Sequence, residues 1–313
     1  MPDYIRSTQQ QALAQPSFRM LAYWPTGMRD PAVAAGMASI FDIFLEHYRS
    51  DVAFMVVADK KRPFEGKVVD DALLADARAW LAAGNSDWPA TARVFGPASE
   101  INEQVTVPSF RAEQHADYVL LDMSVPDDVE TAVSVADKVT AVLKTMPTLY
   151  AVMGMGFFLP MAYEGSARYF PRGFTRYKTA IEFMGEGPEW CIHKDVGSSF
   201  WHEFPEATDG FVDIGWRTVL GAYYLPRLGA VSIDAEGVTV EQTDDMLVVT
   251  AGPEPIWGDV NIDEDISAYK AVAAALAPAR ASLRPMLNGH FGNQVDDPDG
   301  NDRLEAWYER YED

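Results

Sequence analysis

The side chains best equipped for chemistry gather in "WCIHKDVGSSFWHEF" (190–204), which holds Cys191, His193, His202 and Glu203. Thiolate, imidazole and carboxylate are the donors that zinc takes, and a cysteine beside a histidine is the start of a nucleophilic pair. The spacing argues against both. Neither a C-x-x-C pair nor an H-E-x-x-H helix is present, and Cys191 and His193 on one strand face lack a third residue to orient them. Structural or surface roles are the simpler reading. A metal-dependent hydrolase using these four residues stands as the alternative.

The second concentration is acidic. Asp259, Asn261, Asp263 and Asp265 alternate as calcium-loop ligands do, but position six is Glu264 rather than Gly and position twelve is Lys270 rather than Glu. A helix start explains them better. Asn261 as N-cap with Glu264 three residues on makes a capping-box-like pair, with Asp263 as the alternative cap. Asp263 and Asp265 then meet the positive end of the helix dipole. The run Asp296, Asp297, Asp299, Asn301, Asp302 fails the calcium test in the same way and reads as a solvated acidic loop.

Other motifs are fragments. "GMGFFL" has Gly154 and Gly156 but Leu159 where a dinucleotide fingerprint needs its third glycine, so close backbone packing in a strand fits better. Asp59-x-Lys61 in "ADKK" echoes the metal end of restriction-type nucleases, but Asp51 is a poor candidate for the upstream acidic partner and the global charge is wrong for a DNA track. Nothing here points to a cofactor or to catalysis.

The elements that must position these residues are legible from periodicity. "FRMLAYW" (18–24) reads as a strand. Asp30-Pro31 opens a helix whose Met37, Ile40, Phe41, Phe44, Leu45 and Tyr48 share a face. "AFMVVA" (53–58) is a buried strand and 71–83 a helix. "TARVF", "EQVTV" and "DYVLLDM" are strand-like, a helix follows from Ser124-Val-Pro126-Asp127, and 149–158 is a strand. Asp213 is expected to begin a helix, with Trp216, Val219, Leu220 and Tyr223 on one face and Pro226 and Gly229 ending it. "AVSIDAEGVTVEQTDDMLVVTAG" reads as three short antiparallel strands, and the last clear helix spans 262–277. The expected fold is α+β: one compact domain over 18–313, with a mixed or antiparallel sheet, helices packed on it, and a C-terminal meander plus helix. Residues 1–17 are read as a loose arm.

Charge sets the class of partner. With 47 acidic and 25 basic residues the formal net charge is −22, a field that repels phosphate backbones and anionic membranes and attracts basic protein surfaces. The single cysteine forbids an intrachain disulfide. No signal-peptide pattern opens the chain and no apolar run is long enough to span a bilayer, so a cytoplasmic location is expected.

Four blocks in the C-terminal half carry a resemblance. "YAVMGMGFF", "RYFPRGFTRY", "DGFVDIGWRTVLGAYYLPRLGA" and "AGPEPIWGDVNIDEDISAYKAVAAALAPAR" occur in that order, and "LEAWYERYE" closes the chain. Together they resemble the type VI immunity family, over about half of the sequence. The resemblance implies a single α+β domain without catalytic residues. Its function would be to bind and neutralise a cognate type VI secretion nuclease effector of VRR-Nuc or related restriction-type fold. Trp216, Gly221, Gly258, Asp259, Asn261 and Tyr269 carry over as fold determinants. The acidic residues expected to face the partner are Asp244, Asp245, Asp263, Glu264, Asp265, Asp296, Asp297, Asp299 and Asp302. A non-catalytic secretion-system adaptor is the other non-enzymatic alternative.

Overall fold

The computed structural model describes residues 5–6, 12–25, 27–84, 90–96, 107–116, 118–158, 176–181, 192–193, 208–282 and 306–312. Their contacts group the chain into two compact units. One comprises Met1–Ala151 with Phe157–Ala162, the other Val152–Gly156 with Tyr163–Asp313.

In the first unit the strands are β1 (Ile5–Arg6), β2 (Ala12–Trp24), β3 (Phe54–Ala58), β4 (Lys67–Val68), β5 (Ala90–Phe95), β6 (Ser109–Gln114) and β7 (Val119–Val125). They pair antiparallel in the order β2-β7-β6-β5-β3-β4, with β1 on β2. The loose arm expected over 1–17 thus gives way to strand from Ala12 onward. β6 was not anticipated, because its alternation "SFRAEQ" places only Phe110 and Ala112 as apolar residues. "EQVTV" (103–107) lies outside the described residues, apart from Val107.

Helices α1 (Pro31–Tyr48), α2 (Asp71–Ala82) and α3 (Val129–Leu143) fall where the 3.6-residue period places them. Each begins on an aspartate whose carboxylate accepts from a first-turn N–H: Asp30 from Ala32, Asp70 from Leu73 and Asp128 from Thr131. Each such cap is worth about 1 kcal/mol. For α3 the cap is Asp128, not Ser124, since Ser124 still belongs to β7. On α1, Phe41 and Phe44 pack on Phe110 of β6 with ring centroids 5.0 and 5.7 Å apart. The alternate residues of β2, β7 and β5 join Phe110 on that face: Phe18, Met20, Trp24, Leu121, Met123 and Val94 are all buried.

In the second unit β9 (Arg217–Gly221), β10 (Val238–Gln242) and β11 (Met246–Ala251) form an antiparallel group ordered β10-β11-β9, and β9 lies beside β8 (Tyr150–Phe158). The middle of β8 clusters with this unit and its ends with the first. Two short helices follow, α4 (Leu225–Leu228) and α5 (Ser267–Leu276).

The helix expected from Asp213 is therefore a strand. Val219 and Leu220 are both fully buried, and a short apolar run buried on two faces carries no periodicity that separates helix from strand. Pairing with β11 decides the matter. Gly215 fits this path because a Cβ there would stand 2.4 Å from the Met153 carbonyl. The meander is also rearranged: its third strand is β9, and no strand occupies 230–237. Among the described residues no helix is long and apolar enough to cross a membrane.

The closing segment is anchored by a buried ion pair. Arg310 donates to Asp213 at 2.5 Å, with both side chains almost fully buried, and its guanidinium stacks on Trp307 and Tyr311. Tyr311 in turn lies against Tyr269 of α5, at 6.2 Å.

Candidate functional site

The acidic loop 259–265 is built on a tight backbone brace. Gly258 has φ +62°, and an added Cβ would come within 2.9 Å of the Thr179 backbone nitrogen. Only glycine allows that approach. Lys178 N–H donates to the Gly258 carbonyl at 3.0 Å, and Val260 N–H to the Arg176 carbonyl at 3.0 Å. Beneath the brace, Trp257 is buried edge-on to Tyr177 at 5.4 Å.

The carboxylates then divide into workers and displayed groups. Asp259 binds the Arg176 guanidinium through both oxygens, at 2.9 and 2.7 Å, and accepts from Asn261 N–H at 3.0 Å. The Arg176 hydrogen bonds hold its carboxyl below the usual value. Glu264 reaches back to the Asp259 N–H at 2.9 Å. Asp265 accepts the N–H and hydroxyl of Ser267 at the start of α5, which lower its pKa. Asn261 is thus not the N-cap. Asp259 caps a single 3-10 turn (Val260–Ile262), Asp263 turns the chain with φ 49°, and α5 starts at Ser267 rather than 262. A left-handed residue cannot continue a right-handed helix.

What the loop shows to solvent is the informative part. Asp263 is exposed, and beside it Val260 is 44% and Ile262 71% exposed. They are two of the four exposed large hydrophobics among the described residues, the others being Phe64 and Val68. The turn thus holds two apolar side chains outward beside the exposed carboxylates of Asp263 and Asp265.

Asp244 and Asp245 form the exposed tip between β10 and β11. Among the described residues no hydrogen bond or ion pair joins this tip to the 259–265 loop. Both nevertheless belong to one stretch, residues 228–269, that contains ten carboxylates and no Lys, Arg or His. Asp296, Asp297, Asp299 and Asp302 lie outside the described residues.

Of the Cys/His group only His193 is among the described residues. His193 lies against the Tyr223 ring at 4.2 Å, while Cys191, His202 and Glu203 lie outside the described residues. No group of three or more metal-ligating side chains occurs among the described residues. Asp59, the nuclease-like aspartate, folds its own turn: it accepts from Lys61 N–H, Arg62 N–H and Trp80 Nε1 at 2.7, 2.9 and 3.0 Å. Burial pushes its carboxyl up, and these bonds more than reverse it. Gly154 serves close packing, with Ile181 and the Trp216 nitrogen 3.1 Å from where a Cβ would stand.

The sequence reading missed a polar ladder on the sheet face opposite α1. Arg19 binds Asp122 at 3.1 Å, and Arg93 and Arg111 share Glu113. These five side chains are 4–17% exposed. Burial pushes Glu113 up, but Arg111, Arg93 and His115 reverse this and hold its carboxyl below the usual value. Burial lowers Arg93 to about 10. The alternation of "SFRAEQ" with "VLLDMSV" was the available signal.

No protein-family model and no curated protein matches the chain. Among solved structures, the Pseudomonas aeruginosa T6SS protein PA0821 superposes with a TM-score of 0.72 at 14% identity, covering 99% of this chain and 87% of that one. The α+β fold of the two proteins is the same.

Proposed function

We propose that the chain is a cytoplasmic immunity protein of a type VI secretion system, which binds and neutralises a nuclease effector and turns over nothing itself. The observation that carries this reading is the braced loop that presents Val260 and Ile262 within a stretch of ten carboxylates lacking any basic residue. A DNA-cleaving effector needs a basic cleft, so an acidic surface is its electrostatic complement. The shared fold with a T6SS protein of P. aeruginosa supports the same setting, and so does the resemblance to the immunity family in the four C-terminal blocks. In this reading, charge speeds encounter while the apolar pair, once desolvated, slows dissociation.

The test is co-expression with the toxin encoded beside it. Wild-type protein should restore survival and co-purify with the toxin. Val260→Asp with Ile262→Asp, both at exposed positions, should leave folding intact and weaken the complex by at least about tenfold, as expected for anchor residues. Equal cell death with and without the wild-type protein would discard the reading.

A further inference from the structure

Among the described residues no strand pairs with the outer edge of β10, where the Gln242 side chain bonds Gly229 and Val231. Thr243 N–H donates to the Met246 carbonyl at 2.8 Å, which makes that pair hydrogen-bonded. In an antiparallel ladder such pairs alternate. With Glu241 opposite Val248 and Thr239 opposite Thr250, it follows that Thr239 and Glu241 also turn their backbone groups toward β11. On the far side of β11, Ala251 N–H donates to the Trp216 carbonyl at 2.7 Å, which puts the odd residues of β11 toward β9 and gives the same phase independently. Val238, Val240 and Gln242 therefore point their carbonyls away from the sheet. Val240 and Gln242 direct their N–H groups outward as well, whereas that of Val238 closes a turn on Ala235.

Among the described residues β10 is the terminal strand of its group, and every one of its residues is at least partly exposed. Such an edge is a template for another strand, and natural edges are commonly blunted with lysine or by being very short. The β4 edge follows that custom, with two residues, one of them Lys67. The β10 edge is five residues long and lies in the stretch with ten carboxylates and no basic residue. Acidic flanks repel a second copy of the same edge and attract a basic strand.

We infer that β10 pairs with an extended basic segment of the partner protein, adding a strand to the sheet beside β10. This rests on the reading that the chain acts by binding a basic protein, and it names how part of that partner is held. Main-chain bonds at Val240 and Gln242 would supply affinity, and the surrounding carboxylates would select lysine- or arginine-rich strands.

The experiment uses the full-length protein and a capped decapeptide alternating Lys and Val. Controls are the same peptide N-methylated at every other residue, which keeps charge but removes donors, and a Glu/Val version. At low ionic strength the Lys/Val peptide should bind at least about tenfold tighter than either control, a difference of ~1.4 kcal/mol. It should also slow amide exchange at Val240 and Gln242. Val240→Pro removes an outward N–H and no bond to β11, so the hairpin should persist while peptide binding falls by a similar factor. Equal binding of the N-methylated peptide, exchange protection confined to other segments, or self-association of the free protein through this edge would each overturn the inference. The two readings separate in cells given the neighbouring toxin. Rescue without peptide pairing removes the edge and keeps the immunity function, whereas pairing without rescue does the reverse.

Discussion

At Glu113 charge and burial oppose each other directly. It sits between Arg93 and Arg111 with only 15% of its side chain exposed, and the arginines hold its carboxyl below the usual range against the effect of burial. A carboxyl that titrates lower in the folded chain contributes stability in full above its unfolded pKa, about 4.3, and loses it as pH falls through the folded value. Glu113→Gln removes the carboxylate that Arg93 and Arg111 share. It should cost roughly 3 kcal/mol near neutral pH, the range for breaking a buried pair. Urea melts of wild type and variant at pH 7 and pH 3 measure this. The gap should narrow in acid, and a gap independent of pH would contradict the role given to Glu113.

At the scale of elements, the acidic loop depends on one glycine. Gly258→Ala puts an L side chain on a left-handed backbone and creates a contact at 2.9 Å with the Thr179 backbone nitrogen. The expected cost is about 2 kcal/mol, together with a shift in Trp257 fluorescence as its seat against Tyr177 loosens. If the melting curve and emission spectrum are unchanged, the brace is not what fixes the loop. Elements also mark where sequence reading holds. Helices α1, α2 and α3 were legible because each is long and periodic, whereas the caps Asp70 and Asp128 emerged only from the structure. β9 was not, because its five residues bury both faces in a pattern common to strand and helix. The acidic loop was legible as a helix approach, but the division of labour among Asp259, Glu264 and Asp265 needed Arg176, eighty-three residues away from Asp259.

For the molecule as a whole, the formal charge of −22 predicts a partner association that depends on salt. The on-rate should fall by roughly tenfold or more as sodium chloride is raised from low to about 0.5 M, while dissociation changes much less. Replacing Asp244, Asp245 and Asp263 together by Asn should flatten that dependence, measured by stopped-flow mixing with the purified toxin. An on-rate indifferent to salt would mean that the acidic surface takes no part in encounter.

The sequence by itself determined the α+β class, the three long helices and the Asp30 cap of the first, four of the first unit's strands, and the acidic character of the chain. Those follow from local period and composition, which any stretch of chain carries within itself. Only the tertiary structure decided that Trp216 leads into a strand, that Val260 and Ile262 stay outside the core, that arginines and carboxylates interleave across β2, β7, β6 and β5, and that β10 ends the order of described strands. Each of these depends on which distant segment lies alongside, and pairing between segments far apart in the chain leaves no mark in local spacing.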